Sequence, residues 1–216
     1  MMSEQLLSNI MTTRVKICGI TNERDAVAAV EAGAFALGFN FYPQSARYIT
    51  PQRARQIIAG LPKTVLSVGV FVDEESPEQV ARVMDEAGVA VAQLHGDESP
   101  EYCQSLAPRR VIKAFRVKDG FDVESILDYE VEAVLLDSFS AKEMGGTGES
   151  FDWSVARKAR DLFPQLYLAG GISHENVRAA IESVNPYAVD ACSGIEIAPG
   201  RKDSARMRAL IRAARS

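Results

Sequence analysis

Short apolar runs recur along the chain at 15–18, 36–39, 65–71, 89–93, 111–115, 133–136, 166–169 and 188–190. They are rich in Val, Leu, Ile and Phe, and their length suits buried strands better than helices. After each run comes a stretch with the period of about 3.6 residues that marks an amphipathic helix. These stretches cover 22–32, 51–60, 76–87, 98–107, 122–129, 152–163, 174–183 and 203–214. Thr50-Pro51, Ser76-Pro77 and Ser99-Pro100 each put a capping side chain before a proline at the first helical position, where no N–H is needed. Ala32-Gly33 and Ala87-Gly88 read as glycine helix stops. The pattern is weakest at 122–129, because Lys118-Asp119-Gly120-Phe121 interrupts it.

Eight strands, each followed by a helix over a short connection, predict a parallel sheet between helices, and its economical closure is a (β/α)8 TIM barrel. A doubly wound open sheet is the alternative, but it gives no reason for eight units. No linker, low-complexity segment or strong repeat divides the chain. A single domain is expected over 14–216, with a polar, patternless leader at 1–13.

Composition narrows the classes. The chain has 216 residues, is 47% hydrophobic, and carries 24 Lys and Arg against 29 Asp and Glu, a net charge of −5. That balance speaks against binding nucleic acid or an anionic membrane, and leaves a small-molecule ligand held by local donors. Cys18, Cys103 and Cys192 form neither an even disulfide set nor a CxxC pair, and two histidines make a zinc cluster unexpected. A reducing cytoplasm is the natural location. No apolar run approaches the roughly 20 residues of a membrane-spanning helix, and the start lacks the marks of a secretory signal.

In a barrel of this kind the chemistry sits at the carboxyl ends of the strands. Strand one ends Lys16-Ile17-Cys18-Gly19. Alternation turns Val15 and Ile17 toward the helices and Lys16 and Cys18 inward. A lone Cys is ordinarily a small packed hydrophobe, but one at the rim beside a buried cation is a candidate base or nucleophile. Strand six ends in Asp137, which either caps a turn or acts as a general acid–base group. Three glycine-bearing turns follow late strands: Gly145-Gly146-Thr147-Gly148, Gly170-Gly171-Ile172-Ser173 and Ser193-Gly194-Ile195-Glu196. Glycine there is often turn geometry alone, yet two such turns after strands seven and eight match the usual phosphate site of barrels.

The motifs extend further, through Gly38-Phe39-Asn40-Phe41 with Ser45-Ala46-Arg47-Tyr48-Ile49, Gln93-Leu94-His95-Gly96, Leu136-Asp137-Ser138, Phe151-Asp152-Trp153, Leu168-Ala169-Gly170-Gly171 and Pro199-Gly200 with Lys202-Asp203. In that order, from about residue 14 to the C-terminus, the chain resembles the phosphoribosylanthranilate isomerase family. It departs at Ala46, where the family commonly has Pro, and at Cys192, where it commonly has Ser.

The resemblance implies an Amadori rearrangement of N-(5-phosphoribosyl)anthranilate in tryptophan biosynthesis, giving 1-(2-carboxyphenylamino)-1-deoxyribulose 5-phosphate. It implies Cys18 as base, Asp137 as acid, Arg47 on the anthranilate carboxylate, and no metal or other cofactor. Gly146, Gly148, Gly170, Gly171, Ser193 and Gly194 are expected around the phosphate. His95 either touches substrate or satisfies a local hydrogen bond. Lys16 is expected to pair with Asp190 inside the barrel, since closure makes strands one and eight neighbours. Trp153, Cys103 and most Met residues read as packing. A monomer or homodimer is expected. Competing readings are a ribulose-phosphate epimerase, an indole-glycerol-phosphate synthase, or a barrel that binds a phosphosugar without catalysis. Two histidines speak against the metal-dependent first, and Cys18 with Asp137 against the last.

Overall fold

A computed structural model describes residues 13–137 and 153–216. The strands are β1 (Arg14–Ile17), β2 (Ala36–Asn40), β3 (Leu66–Phe71), β4 (Val91–Leu94), β5 (Arg110–Arg116), β6 (Ala133–Asp137), β7 (Leu166–Ala169) and β8 (Ala188–Ala191). They pair in chain order, all parallel, and β8 returns to β1 through Arg14↔Ala188, Val15↔Val189, Lys16↔Asp190 and Ile17↔Ala191. That last ladder removes both sheet edges and rules out the doubly wound alternative.

The helices are α1 (Glu23–Ala32), α2 (Pro51–Ala59), α3 (Pro77–Ala87), α4 (Pro100–Gln104), α5 (Ser154–Leu162), α6 (Val177–Val184) and α7 (Ser204–Ala213). The proline starts behave as the capping pattern predicts. Thr50 Oγ1 accepts from the Arg53 amide at 3.2 Å, Ser76 Oγ from Gln79 at 3.3 Å, and Ser99 Oγ from Tyr102 at 3.2 Å. Gly33 and Gly88 end α1 and α3 at φ of 97° and 73°, the left-handed region that glycine enters without strain.

The fifth connection differs from expectation. It is a 3₁₀ helix (Val123–Asp128), not an α-helix. Asp122 turns its own carboxylate onto the Glu124 amide, and Ile126 is the one buried residue of the segment, so one apolar anchor supports only a tight turn. The fourth helix is also shorter than predicted, because the Glu98 side chain folds back onto the Asp73 and Gly96 amides instead of joining the first turn. Thr13, expected in the leader, is buried against the barrel.

Two apolar layers result. Val15, Ile17, Leu37, Phe39, Leu94, Leu136, Leu168 and Val189 face the helices, while Ala36, Val68, Val91, Ile112, Leu135 and Tyr167 fill the barrel. On β1 and β8 the inward layer nearest the rim is polar instead, with Lys16 at 0% and Asp190 at 7% exposure, above an inward Ala188. After β8 comes a 3₁₀ turn (Ser193–Ile195) and then a hairpin of β9 (Glu196–Ala198) and β10 (Arg201–Lys202), which sequence periodicity did not reveal. Among the described residues, no helix is long and apolar enough to cross a membrane.

Candidate active site

The carboxyl ends of the strands surround a cavity of about 500 Å³. Cys18, Arg47, His95, Asp137, Gly170, Gly171 and Ser193 all line it, so the fold gathers seven of the site residues expected from sequence. Gly194 instead packs beneath the Ile172 carbonyl, where a Cβ would collide with that oxygen. Gly146 and Gly148 lie outside the described residues.

Cys18 follows β1 directly, and its amide donates to the Ala191 carbonyl at 2.9 Å, which fixes it to β8. Beneath it Lys16 Nζ donates to Asp190 Oδ2 at 2.8 Å, the pairing that barrel closure predicted. Gly38 on β2 makes room for both, since a Cβ there would lie 2.7 Å from Cys18 Sγ and 3.2 Å from Lys16 Nζ. Burial opposes the Lys16 charge, but Asp190 and Cys18 outweigh it and raise the Lys16 pKa. Burial pushes Asp190 up to about 6 against the opposing pull of Lys16, so the pair is ionised at neutral pH.

The Cys18 thiol is held well below its ordinary value of 9.0, first by a hydrogen bond from the Cys192 thiol and then by the Lys16 and Lys202 charges, which overcome burial. Cys192 moves the opposite way, kept protonated by its bond to Cys18 and by burial. The two thiols therefore titrate as a pair, with the first proton more easily lost from Cys18. This pair was not foreseen, since Cys192 stood out in the sequence only as a substitution near the phosphate turn.

Across the cavity Asp137 ends β6, its carboxylate Oδ2 lying 3.3 Å from His95 Nε2. Gln93 Nε2 lies 3.0 Å from His95 Nδ1, so the ring is held on one side by the amide and on the other by Asp137. His95 thus belongs to the site through its carboxylate partner. Its loop is braced by a buried ion pair that sequence reading missed. Lys113 Nζ donates to Glu98 Oε2 at 2.7 Å and to the Gly96 carbonyl at 2.7 Å, and Glu98 accepts from the Gly96 amide.

Arg47 does not stand free in its loop. Its Nε donates to Glu196 Oε1 at 3.0 Å and its Nη2 to Glu196 Oε2 at 2.7 Å. The hairpin explains this contact, because Lys202↔Glu196 register sets Lys202 Nζ 2.8 Å from Glu196 Oε1. Burial works to raise the Glu196 pKa, but the two cations win and lower it. The Arg47 amide donates to Ser45 Oγ at 3.1 Å, so the loop is tied down without a proline at Ala46.

Gly170 and Gly171 turn at φ of 88° and 63°, conformations closed to most side chains, and bring their backbone to the cavity wall beside Ser193. Asp190 Oδ1 and Gln93 Oε1 are buried with no hydrogen-bond partner among the described residues, and both side chains line the cavity. Among the described residues, no group of three or more His, Cys, Asp or Glu side chains is placed to hold a metal ion.

A closed eight-stranded barrel with a lowered-pKa thiol and a carboxyl group facing each other across its mouth defines a barrel enzyme of the acid–base class. Residues 15–213 match the family described as N-(5'phosphoribosyl)anthranilate (PRA) isomerase. The N-(5'-phosphoribosyl)anthranilate isomerase of Geobacter sulfurreducens is 52% identical over 202 residues, covering 94% of this chain and 98% of that protein. The crystal structure of phosphoribosyl anthranilate isomerase from Thermotoga maritima superposes with a TM-score of 0.86 at 48% identity, covering 94% of this chain and 98% of that one. Another isomerase structure, in complex with reduced 1-(o-carboxyphenylamino)-1-deoxyribulose 5-phosphate, gives a TM-score of 0.84 at 46% identity, over 94% and 98% of the chains. The chain belongs to the phosphoribosylanthranilate isomerase family.

Proposed function

We propose that this chain converts N-(5-phosphoribosyl)anthranilate to 1-(2-carboxyphenylamino)-1-deoxyribulose 5-phosphate, with Cys18 and Asp137 as its catalytic base and acid. The observation that carries this assignment is their placement on opposite sides of one cavity, at the ends of β1 and β6. The rearrangement needs two proton transfers at different atoms. Asp137 protonates the furanose ring oxygen, the C1–O bond breaks, and the anilino nitrogen forms a Schiff base with C1. Cys18 thiolate then removes the C2 proton, which gives an enolamine. Tautomerisation to the ketone places a proton on C1.

Each surrounding contact has a use in this sequence. His95, 3.3 Å from Asp137, orients the carboxyl group toward the ring oxygen. Lys16 holds the thiolate charge below Cys18. Glu196 grips the Nε–Nη2 edge of Arg47 and so presents the Nη1 side to the anthranilate carboxylate, where a guanidinium recognises two oxygens at once. The turns at Gly170-Gly171 and Ser193 receive the phosphate, in the position where barrels commonly bind one. The unpartnered Asp190 Oδ1 and Gln93 Oε1 are suited to accept from sugar hydroxyls. The substrate is a small anion, and a cytoplasmic location fits three free thiols.

The reading is tested by the fluorescence of N-(5-phosphoribosyl)anthranilate in the presence of purified protein and a metal chelator. Enzyme-dependent decay with first-order dependence on protein is expected. Stable fluorescence at saturating protein would favour the barrel that binds without catalysis.

A further inference from the structure

The thiols at the barrel mouth come in a pair. The Cys18 amide bonds to the Ala191 carbonyl at 2.9 Å and extends the Ile17↔Ala191 register by one step, which sets Cys18 opposite Cys192. Neighbouring strands lie about 4.8 Å apart, inside the Cα separation of about 4.4–6.8 Å that a disulfide spans. Both side chains line the same cavity, and the Cys192 sulfur reaches over the residue after Cys18, 3.1 Å from where a Cβ on Gly19 would sit. We propose that Cys18 and Cys192 form a peroxide-reactive pair, with Cys18 as the attacking thiolate and Cys192 as the resolving thiol, so that a reversible disulfide shuts the site under oxidation.

The electrostatics divide these roles. The Cys18 pKa is the lowered one, which favours the thiolate form that attacks an O–O bond. Cys192 keeps its proton until Cys18 has reacted, and Lys202 Nζ lies 3.7 Å from its sulfur, a cation placed to favour the second thiolate. The third thiol serves as an internal control. Cys103 is 3% exposed in the core between strands and helices, and burial pushes its pKa up to about 11.

The steps balance with a hydroperoxide as the oxidant. Cys18 thiolate attacks one peroxide oxygen, an S–O bond forms, the O–O bond breaks, and the departing hydroxide takes a proton to become water. Cys18 is now a sulfenic acid, oxidised by two electrons, and the peroxide is reduced. The Cys192 sulfur attacks the Cys18 sulfur, the S–S bond forms, and the S–O bond breaks as hydroxide leaves with the Cys192 proton as a second water. Dithiothreitol reverses the result by thiol–disulfide exchange. A serine at 192, the residue type common in the family this chain resembles, would leave Cys18 without a resolving partner.

The proposal shares Cys18 with the isomerase reading, but its test reads masses, so the two can fail separately. The reduced full-length protein is treated with hydrogen peroxide, quenched by alkylation, digested and analysed by mass spectrometry. A linked Cys18–Cys192 peptide is expected, with two of the three thiols lost to titration and activity restored by dithiothreitol. In Cys192→Ser, checked as folded by circular dichroism, no linked peptide forms. Dimedone captures Cys18 sulfenic acid there, and prolonged oxidation yields sulfinic acid that dithiothreitol does not rescue. Wild-type protein whose Cys18 accumulates as sulfinic acid without the linked peptide overturns the proposal. So does peroxide that consumes Cys103 before Cys18. A linked peptide from protein that, in its reduced form, leaves the fluorescent substrate untouched would uphold the pair and reject the isomerase.

Discussion

Replacing Asp190 by Asn removes the counter-charge of a lysine with no access to water. Lys16 Nζ and Asp190 Oδ2 lie 2.8 Å apart, at 0% and 7% side-chain exposure. At an effective dielectric of about 20, unit charges that close attract by about 6 kcal/mol, offset by several kcal/mol of desolvation for each ion. The intact pair therefore contributes little net stability, whereas breaking it costs about 3–5 kcal/mol, because the remaining ion stays buried alone. For a chain of this size that corresponds to a fall in Tm of roughly 6–20 °C. Asp190→Asn and Lys16→Met should each show a loss of this order in urea unfolding. The double variant should lose much less than the sum, with a coupling of about 2–4 kcal/mol. Additivity within about 0.5 kcal/mol would show that the two charges do not depend on each other, and would refute the account of the barrel floor. Lys16→Met should also raise the Cys18 pKa, since the Lys16 charge helps hold that thiolate.

Other expectations follow from the same geometry. Iodoacetamide should alkylate Cys18 well below pH 9.0, the ordinary thiol value, while Cys103, raised to about 11, stays unreacted; equal rates would remove the case for a thiolate. The Cys18 pKa is depressed, so the base is lost as pH falls through that lowered value, and kcat/KM should fall on this acid limb; a pH-independent kcat/KM down to about pH 5 would remove Cys18 as the base. Arg47→Ala should raise KM by about 10–100-fold with kcat nearly unchanged, as loss of a charged hydrogen bond made in both ground and transition states does. Glu196→Gln should move KM the same way by a smaller factor, through a loosened Arg47, and an unchanged KM in both would place the carboxylate elsewhere.

The barrel was readable from sequence because its signals are local. Apolar runs of strand length, the Ser/Thr-Pro starts and the glycine stops each act within a few residues, and alternation alone separated Lys16 and Cys18 from Val15 and Ile17. The Lys16–Asp190 pair needed one further step, that an eight-stranded sheet returns to its first strand. What stayed hidden depends on register between distant segments. Glu196 acquires its role only when the hairpin through Pro199-Gly200 brings Lys202 beside it and β2's loop delivers Arg47 from the other side. Gln93, His95 and Asp137 meet because two strand ends converge, and Cys192 meets Cys18 because of the β1–β8 ladder. The roles of Cys18 and Asp137 came from the ordered motifs, since a strand-end Cys is ordinarily inert packing. The 3₁₀ segment at Val123–Asp128 shows the limit of periodicity, where one buried Ile is too little to distinguish a helix from a turn.

The most direct test of the acid–base account is the turnover of N-(5-phosphoribosyl)anthranilate by Cys18→Ser, measured as fluorescence decay on protein shown to be folded. A serine hydroxyl keeps the size and position of the thiol but is not ionised near neutrality. The account predicts a fall in kcat of about 10²–10⁴-fold, the usual worth of a positioned general base. Turnover within a few-fold of the wild type would contradict it.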